Sequence, residues 1–396
     1  MRRAVFCRVR GAATAIVIAA TVMPLAGCSS LPSMNPMDWW SGTPGPKMAQ
    51  LQEVNASVPL RLVWQASMGA SADAIFTPVV SSGSVFAADN AGAVAKFDAG
   101  SGRQLWRASA ARSLSGGVGT DSSVVVVGTG EGEVVALEAG DGAIRWRARV
   151  SSEVLAAPEI AGDLVVVRSA DNRIFALDAR DGRRRWVYQR AAQTLAVRTP
   201  AGLVLNRGNA YAGFPGGKLV AIALSNGGMR WEATVATPRG ATELERVADV
   251  VGLPVLAERD VCAVAFQGRA ACFELVNGGS IWGRDLSSVS GLGADLKTIY
   301  VSDDRGAVHA LERANGTSLW KQDRLSNRNL TAPLATGSAI VVGDVQGFVH
   351  LLARDSGAFV ARAATDGTAI TATPVATENG FIVQTRKGGL FAYSLK

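Results

Sequence analysis

The side chains most able to do chemistry are few: four cysteines and two histidines in 396 residues. Cys262 and Cys272 lie ten positions apart, symmetric about Gln267, and no Cys-x-x-Cys pair occurs. With only His309 and His350 to supply imidazole, the set does not make a structural zinc site. Two thiols placed symmetrically about a hairpin turn can instead face each other across its strands. Opposed residues of a non-hydrogen-bonded pair sit about 4.5 Å apart at Cα, within disulfide range. Two reduced, buried thiols are the alternative. His309 and His350 each follow a recurring glycine by three positions, where Ala, Val or Phe otherwise stands, so they read as packed imidazoles. Asp98, Glu138, Asp178, Glu274 and Glu312 also share one repeat position, which marks blade structure rather than one asymmetric catalytic centre. No Ser/His/Asp arrangement or phosphate loop with supporting context accompanies them.

The remaining cysteines sit near the N-terminus. Arg2, Arg3, Arg8 and Arg10 form a basic start, and residues 12–23 an apolar run too short to span a bilayer comfortably. It ends in Leu25-Ala26-Gly27-Cys28, which resembles the lipobox of bacterial lipoproteins. That resemblance implies a signal peptide over 1–27, cleaved, with a diacylglycerol on the Cys28 thiol. Ser29 stands where an Asp would mark inner-membrane retention, so the expected location is the outer membrane, on its periplasmic face. Cleavage removes four arginines and lowers the formal charge from +7 to +3. No clustered Lys/Arg groove with interleaved aromatics occurs, which argues against nucleic acid. Residues 28–60, rich in Ser, Pro, Gly and Met, read as a lipidated tether. Within it Trp39-Trp40 is either local packing or a contact for membrane or partner.

The body is built of repeats. A glycine, or Asn172, is followed fourteen positions later by tryptophan at Trp106, Trp146, Trp186, Trp231, Trp282 and Trp320; a seventh copy ends at Ala361. Ten residues after each marker comes a second glycine preceded by Ser, Asp or Asn, which predicts a tight type I′ hairpin in every unit. Upstream lie a β-branched run and a short strand often opened by proline (Pro78, Pro158, Pro333, Pro374). Four antiparallel strands over roughly 40 residues are the period of a propeller blade. The C-terminal unit stops after its third strand, and Arg61-Leu62-Val63-Trp64-Gln65 is a fourth strand without the other three. The fold expected over 61–396 is therefore all-β: an eight-bladed β-propeller of four-stranded antiparallel blades, closed by the N-terminal strand completing the last blade.

The pattern Gly-x-Val-x-Ala-Leu-Asp-x-x-x-Gly-x-x-x-Trp resembles the pyrroloquinoline-quinone-type propeller repeat. Two families carry it: quinoprotein dehydrogenases, and BamB lipoproteins of the outer-membrane β-barrel assembly machinery. Leu330-Thr331-Ala332-Pro333-Leu334, Val341-Val342-Gly343-Asp344, Gly347-Phe348-Val349-His350 and the degenerate Phe359-Val360-Ala361 resemble the BamB family's seventh blade. The stretch 242–250 resembles its long loop between the fourth and fifth blades. This resemblance implies a non-catalytic protein without cofactor that binds the POTRA domains of BamA, with other members of the complex, and helps present nascent outer-membrane proteins. By matched position the binding edge would use Leu195, Val197 and Arg198, with Asp249 from the long loop; Val251 stands where a second acid would be. The residues agree in part. Trp231 to Trp282 spans 51 residues where neighbouring intervals are about 40, so a long loop leaves a rigid frame there. The enzyme alternative would need a deep axial calcium site and often an adjacent Cys-Cys pair, whereas these cysteines are ten apart. A propeller binding cell-wall polymer or another envelope component is the third reading.

Overall fold

The computed structural model describes residues 47–191 and 195–396, and among them no residue is helical. Eight four-stranded antiparallel sheets form the blades of a propeller. Blades 1 to 7 occupy 79–109, 116–149, 159–189, 203–234, 250–285, 292–322 and 334–364. In blade 8 the strands Val375–Ala376, Gly380–Gln384 and Gly389–Ser394 are completed by Arg61–Ser67, which pairs from Arg61 opposite Ser394 to Ser67 opposite Gly389. The two ends of the ring are thus joined by a β-ladder, as the repeat predicts. First strands of successive blades lie against one another around the centre, and fourth strands form the rim.

Packing explains the strand patterns. Second strands such as Ser84–Ala88 and Val124–Gly128 are buried at every position, because blades cover both of their faces. Fourth strands turn one tryptophan inward. Each of the seven indole Nε1–H groups donates to a backbone carbonyl of the next blade, as from Trp146 to Ala179 at 2.9 Å. The turn glycine of that next blade lies flat on the ring: a Cβ at Gly142 would meet Trp106 Cε3 at 2.8 Å. The sequence pattern therefore records a contact between blades.

The turns differ from the type I′ expectation. Gly142 and its six equivalents have positive φ, but none of the Ser, Asp or Asn residues before them does. In blade 2 the Glu138 N–H donates to Ala143 O at 2.7 Å across a four-residue loop, with Gly142 its single left-handed position. Asp141 recurs as an acceptor instead: its Oδ1 takes the Ala143 N–H at 2.9 Å, and Asp181, Asn226, Asn277 and Asn315 do the same in their blades. The shared carboxylates fold back on the same turns, Glu138 to Arg145 and Glu312 to Asn315.

Ala361 replaces tryptophan because blade 8 has no hairpin turn to stack on it; its third and fourth strands come from opposite chain ends. Residues 57–60 take that space. Ser57 N–H donates to Val360 O at 2.9 Å, while Val58 and Leu60 pack on the core between blades 7 and 8. Residues 47–60, expected as part of a tether, are thus laid along the propeller.

Candidate partner-binding site

The segment 190–202 connects the rim strand Arg184–Gln189 of blade 3 to Leu203–Asn206 of blade 4. Leu195 and Val197, two positions apart as on one face of a strand, lie instead in irregular backbone whose backbone–backbone bonds are local: Thr199 N–H donates to Val197 O and Ala201 N–H to Thr199 O. With no ladder to follow, alternation of faces does not apply. Leu195 is 43% exposed and so is not core. Arg198 is exposed, and its guanidinium pairs with Glu153 on the loop that leaves blade 2.

Asp249 corrects an expectation. Expected to offer its charge to a partner, it is 4% exposed. Its Oδ2 accepts the Val197 N–H and its Oδ1 the Gly216 N–H, so the carboxylate holds the 195–199 segment instead of facing solvent. Val251 packs in the core between blades 5 and 6, so an acid at that position would be buried without a stated partner. The long loop, 235–249, is pinned by a single turn in which Thr242 Oγ1 accepts from Glu245 N–H and Glu245 Oε2 accepts from Ala241 N–H. Leu244 at its tip is 72% exposed.

These groups surround a cleft of about 200 Å³ between blades 3 and 4, walled by Leu155, Val197, Pro215 and Val250 and by Glu153, Arg168, Arg198 and Asp249. Arg168 donates to Gly213 O and lies over the Phe214 ring, 4.8 Å from its centroid. Burial pushes its pKa down to about 10, opposed by the Asp249 charge. Sequence reasoning missed Glu153 and Arg168. The second had a signal: it is the one charged residue in the apolar strand Leu164–Ser169.

Elsewhere, Cys262 and Cys272 stand directly opposite each other in their hairpin, 4.0 Å apart at Cα and 1.91 Å between sulfurs. His309 and His350 each place Nε2 2.9 Å from a carboxylate oxygen, of Asp303 and Asp344. Among the described residues no group of three or more His, Cys, Asp or Glu is placed to hold a metal ion. Cys28, Trp39, Trp40 and Thr194 lie outside the described residues.

The chain matches known proteins along most of its length. The family described as outer membrane protein assembly factor BamB matches residues 59–110 and 90–322. The protein of that name from Bordetella pertussis is 43% identical over 94% of this chain and 95% of its own. The one from Pseudomonas aeruginosa is 44% identical over 88% of this chain and 92% of its own. Among solved structures, BamB from Moraxella catarrhalis superposes with a TM-score of 0.78 at 29% identity, covering 85% of this chain and all of that one. A quinohemoprotein alcohol dehydrogenase from Comamonas testosteroni reaches 0.69 at 14% identity, covering 85% of this chain and 76% of that one, a likeness of fold alone. The chain belongs to the BamB family of outer membrane protein assembly factors.

Proposed function

We propose that this protein is a non-catalytic scaffold of the complex that assembles β-barrels into the outer membrane. It binds the POTRA domains of BamA through the edge between blades 3 and 4, and helps present nascent outer-membrane proteins. The observation that carries this reading is the exposure of Leu195 and Arg198 on a loop that Asp249 fixes from beneath. A guanidinium held on a rigid frame suits an interface hot spot, and Leu195 adds apolar contact beside it. Arg198 already forms a charge-assisted pair with Glu153, which a partner carboxylate or carbonyl can replace. Arg198→Ala should reduce capture of BamA POTRA fragments with melting near wild type, and Leu195→Ala with Arg198→Ala should lose more. Full capture by the folded double variant would remove the site; no capture by wild type would remove the reading.

The anchor in this proposal is a lipid on Cys28, each buried methylene of which is worth about 0.8 kcal/mol. Cys28→Ala should leave the protein soluble or with its signal retained. A variant that still fractionates with outer membranes after high-salt washing would rule the anchor out.

A further inference from the structure

Residues 47–56 are held on blade 7 and on the connection that enters it from blade 6, mostly by side chains of the propeller. Asn327 Nδ2 donates to Lys47 O at 2.9 Å, and Arg328 Nη1 to Ala49 O at 2.9 Å. Arg362 Nη1 donates to Gln52 O at 2.6 Å. Arg324 Nη1 donates to Gln52 Oε1 at 3.3 Å, and one backbone bond, Ala49 N–H to Ser326 O, and the packing of Leu51 add to the contact.

The two arginines share a second duty. Arg328 Nε donates to Asp344 Oδ2 at 2.7 Å, and Arg362 Nε donates to His350 Nδ1 at 3.0 Å. The His350 Nε2 lies 2.9 Å from the same Asp344 oxygen. Asp344 and His350 are fully buried and Arg328 is 2% exposed. Arginine can only donate, so the imidazole nitrogen facing Arg362 is an acceptor and His350 carries its single proton on Nε2. The rings of Phe348 and Phe359 flank the imidazole, and the charged groups acting on it are Asp344, Arg362 and Arg328.

A second proton on His350 would sit on Nδ1 and point at the Arg362 N–H, donor against donor and cation against cation. We propose that protonation of His350 repels Arg362 and Arg328 together and so loosens their holds on Gln52 O and Ala49 O: a proton-sensitive latch on the segment that leads to the N-terminus. Residues 57–67 stay bound, because Ser57, Val58 and the strand Arg61–Ser67 make contacts that do not involve the network.

The sign follows from the docked state. Burial holds the imidazole below its ordinary value, Arg362 and Arg328 acting in the same direction and Asp344 against them. Docked chains therefore bind fewer protons than released ones. Docking is favoured at neutral pH and weakens as pH falls, by up to about tenfold per pH unit for one proton.

The test is amide exchange on the full chain, expressed as protection factors to remove the intrinsic pH effect. Ala49 protection should fall at least severalfold between pH 7.5 and 5.0, while Val341 in the blade 7 core keeps its protection. His350→Gln should abolish the pH dependence at Ala49. Should that variant fail to fold, Arg362→Met serves instead: it removes the donor to Nδ1 and should lower Ala49 protection already at pH 7.5. Equal Ala49 protection at both pH values in wild type, a parallel fall at Val341, or the same fall in His350→Gln would each overturn the latch.

Discussion

Asp249 reaches back 52 residues to Val197, its Oδ2 accepting that N–H at 2.6 Å while Oδ1 accepts the Gly216 N–H at 3.1 Å. All four strands of blade 4 lie between Val197 and Asp249, so the proposed binding loop is fixed by a side chain from another blade connection. Asp249→Ala leaves both amides without this acceptor and should cost about 1–3 kcal/mol of stability. Exchange at the Val197 amide should rise in Asp249→Ala and stay unchanged in Arg198→Ala. Equal exchange in the two variants would show that Asp249 does not hold the loop.

Glu159 is the only charged residue on the eight first strands, and burial raises its pKa to about 7. A carboxyl with a raised folded-state pKa favours the fold below its unfolded value near 4.5. That contribution is lost as pH climbs to about 7. Glu159→Gln removes the penalty of burying the charge, worth about 3 kcal/mol for such a shift. Denaturant melts should therefore place the variant above wild type at pH 8 and level with it at pH 4. A constant difference across that range would exclude Glu159 as the cause.

The ring closes on Arg61–Ser67, and Trp64 of that strand lies against Gly102 of blade 1. Deleting residues 61–68 bares the edge of Gly389–Ser394 and one face of blade 1. A lower unfolding midpoint and aggregation are expected in thermal melts followed by light scattering. Wild-type behaviour in both would contradict closure by this strand.

Cys262 and Cys272 close a loop of ten residues, a cross-link worth about 3 kcal/mol in the chain-entropy account. Peptides carrying the two should run as one linked species in a non-reduced digest, and reduction should lower the melting point. Free, alkylatable thiols in the protein purified from the envelope would reject the bond.

The blades were legible because one tertiary contact is written eight times less one. Each tryptophan needs a bare glycine above it, so spacing alone carried fold, blade number and closure. The proposed binding edge was less legible. Residues 195–199 make no ladder, so their alternation had no geometric meaning, and the burial of Asp249 depends on a loop far away in sequence. Nor could the sequence separate an Asp before Gly that adopts positive φ from one that merely accepts the next amide, as Asp141 does. Residues 47–52 lack periodicity because the side chains of Asn327, Arg328 and Arg362, not a neighbouring strand, take the carbonyls of Lys47, Ala49 and Gln52.

The missing tryptophan at Ala361 marks the joint where any mechanical load enters the ring. A pull on the N-terminal end acts first on residues 47–56, whose few bonds give way singly. It then meets the Ser57 bond to Val360 and the continuous ladder between Arg61–Ser67 and Gly389–Ser394. Such a pull meets a weak fuse in series with a strong clasp, and slack is given out before the ring itself is stressed.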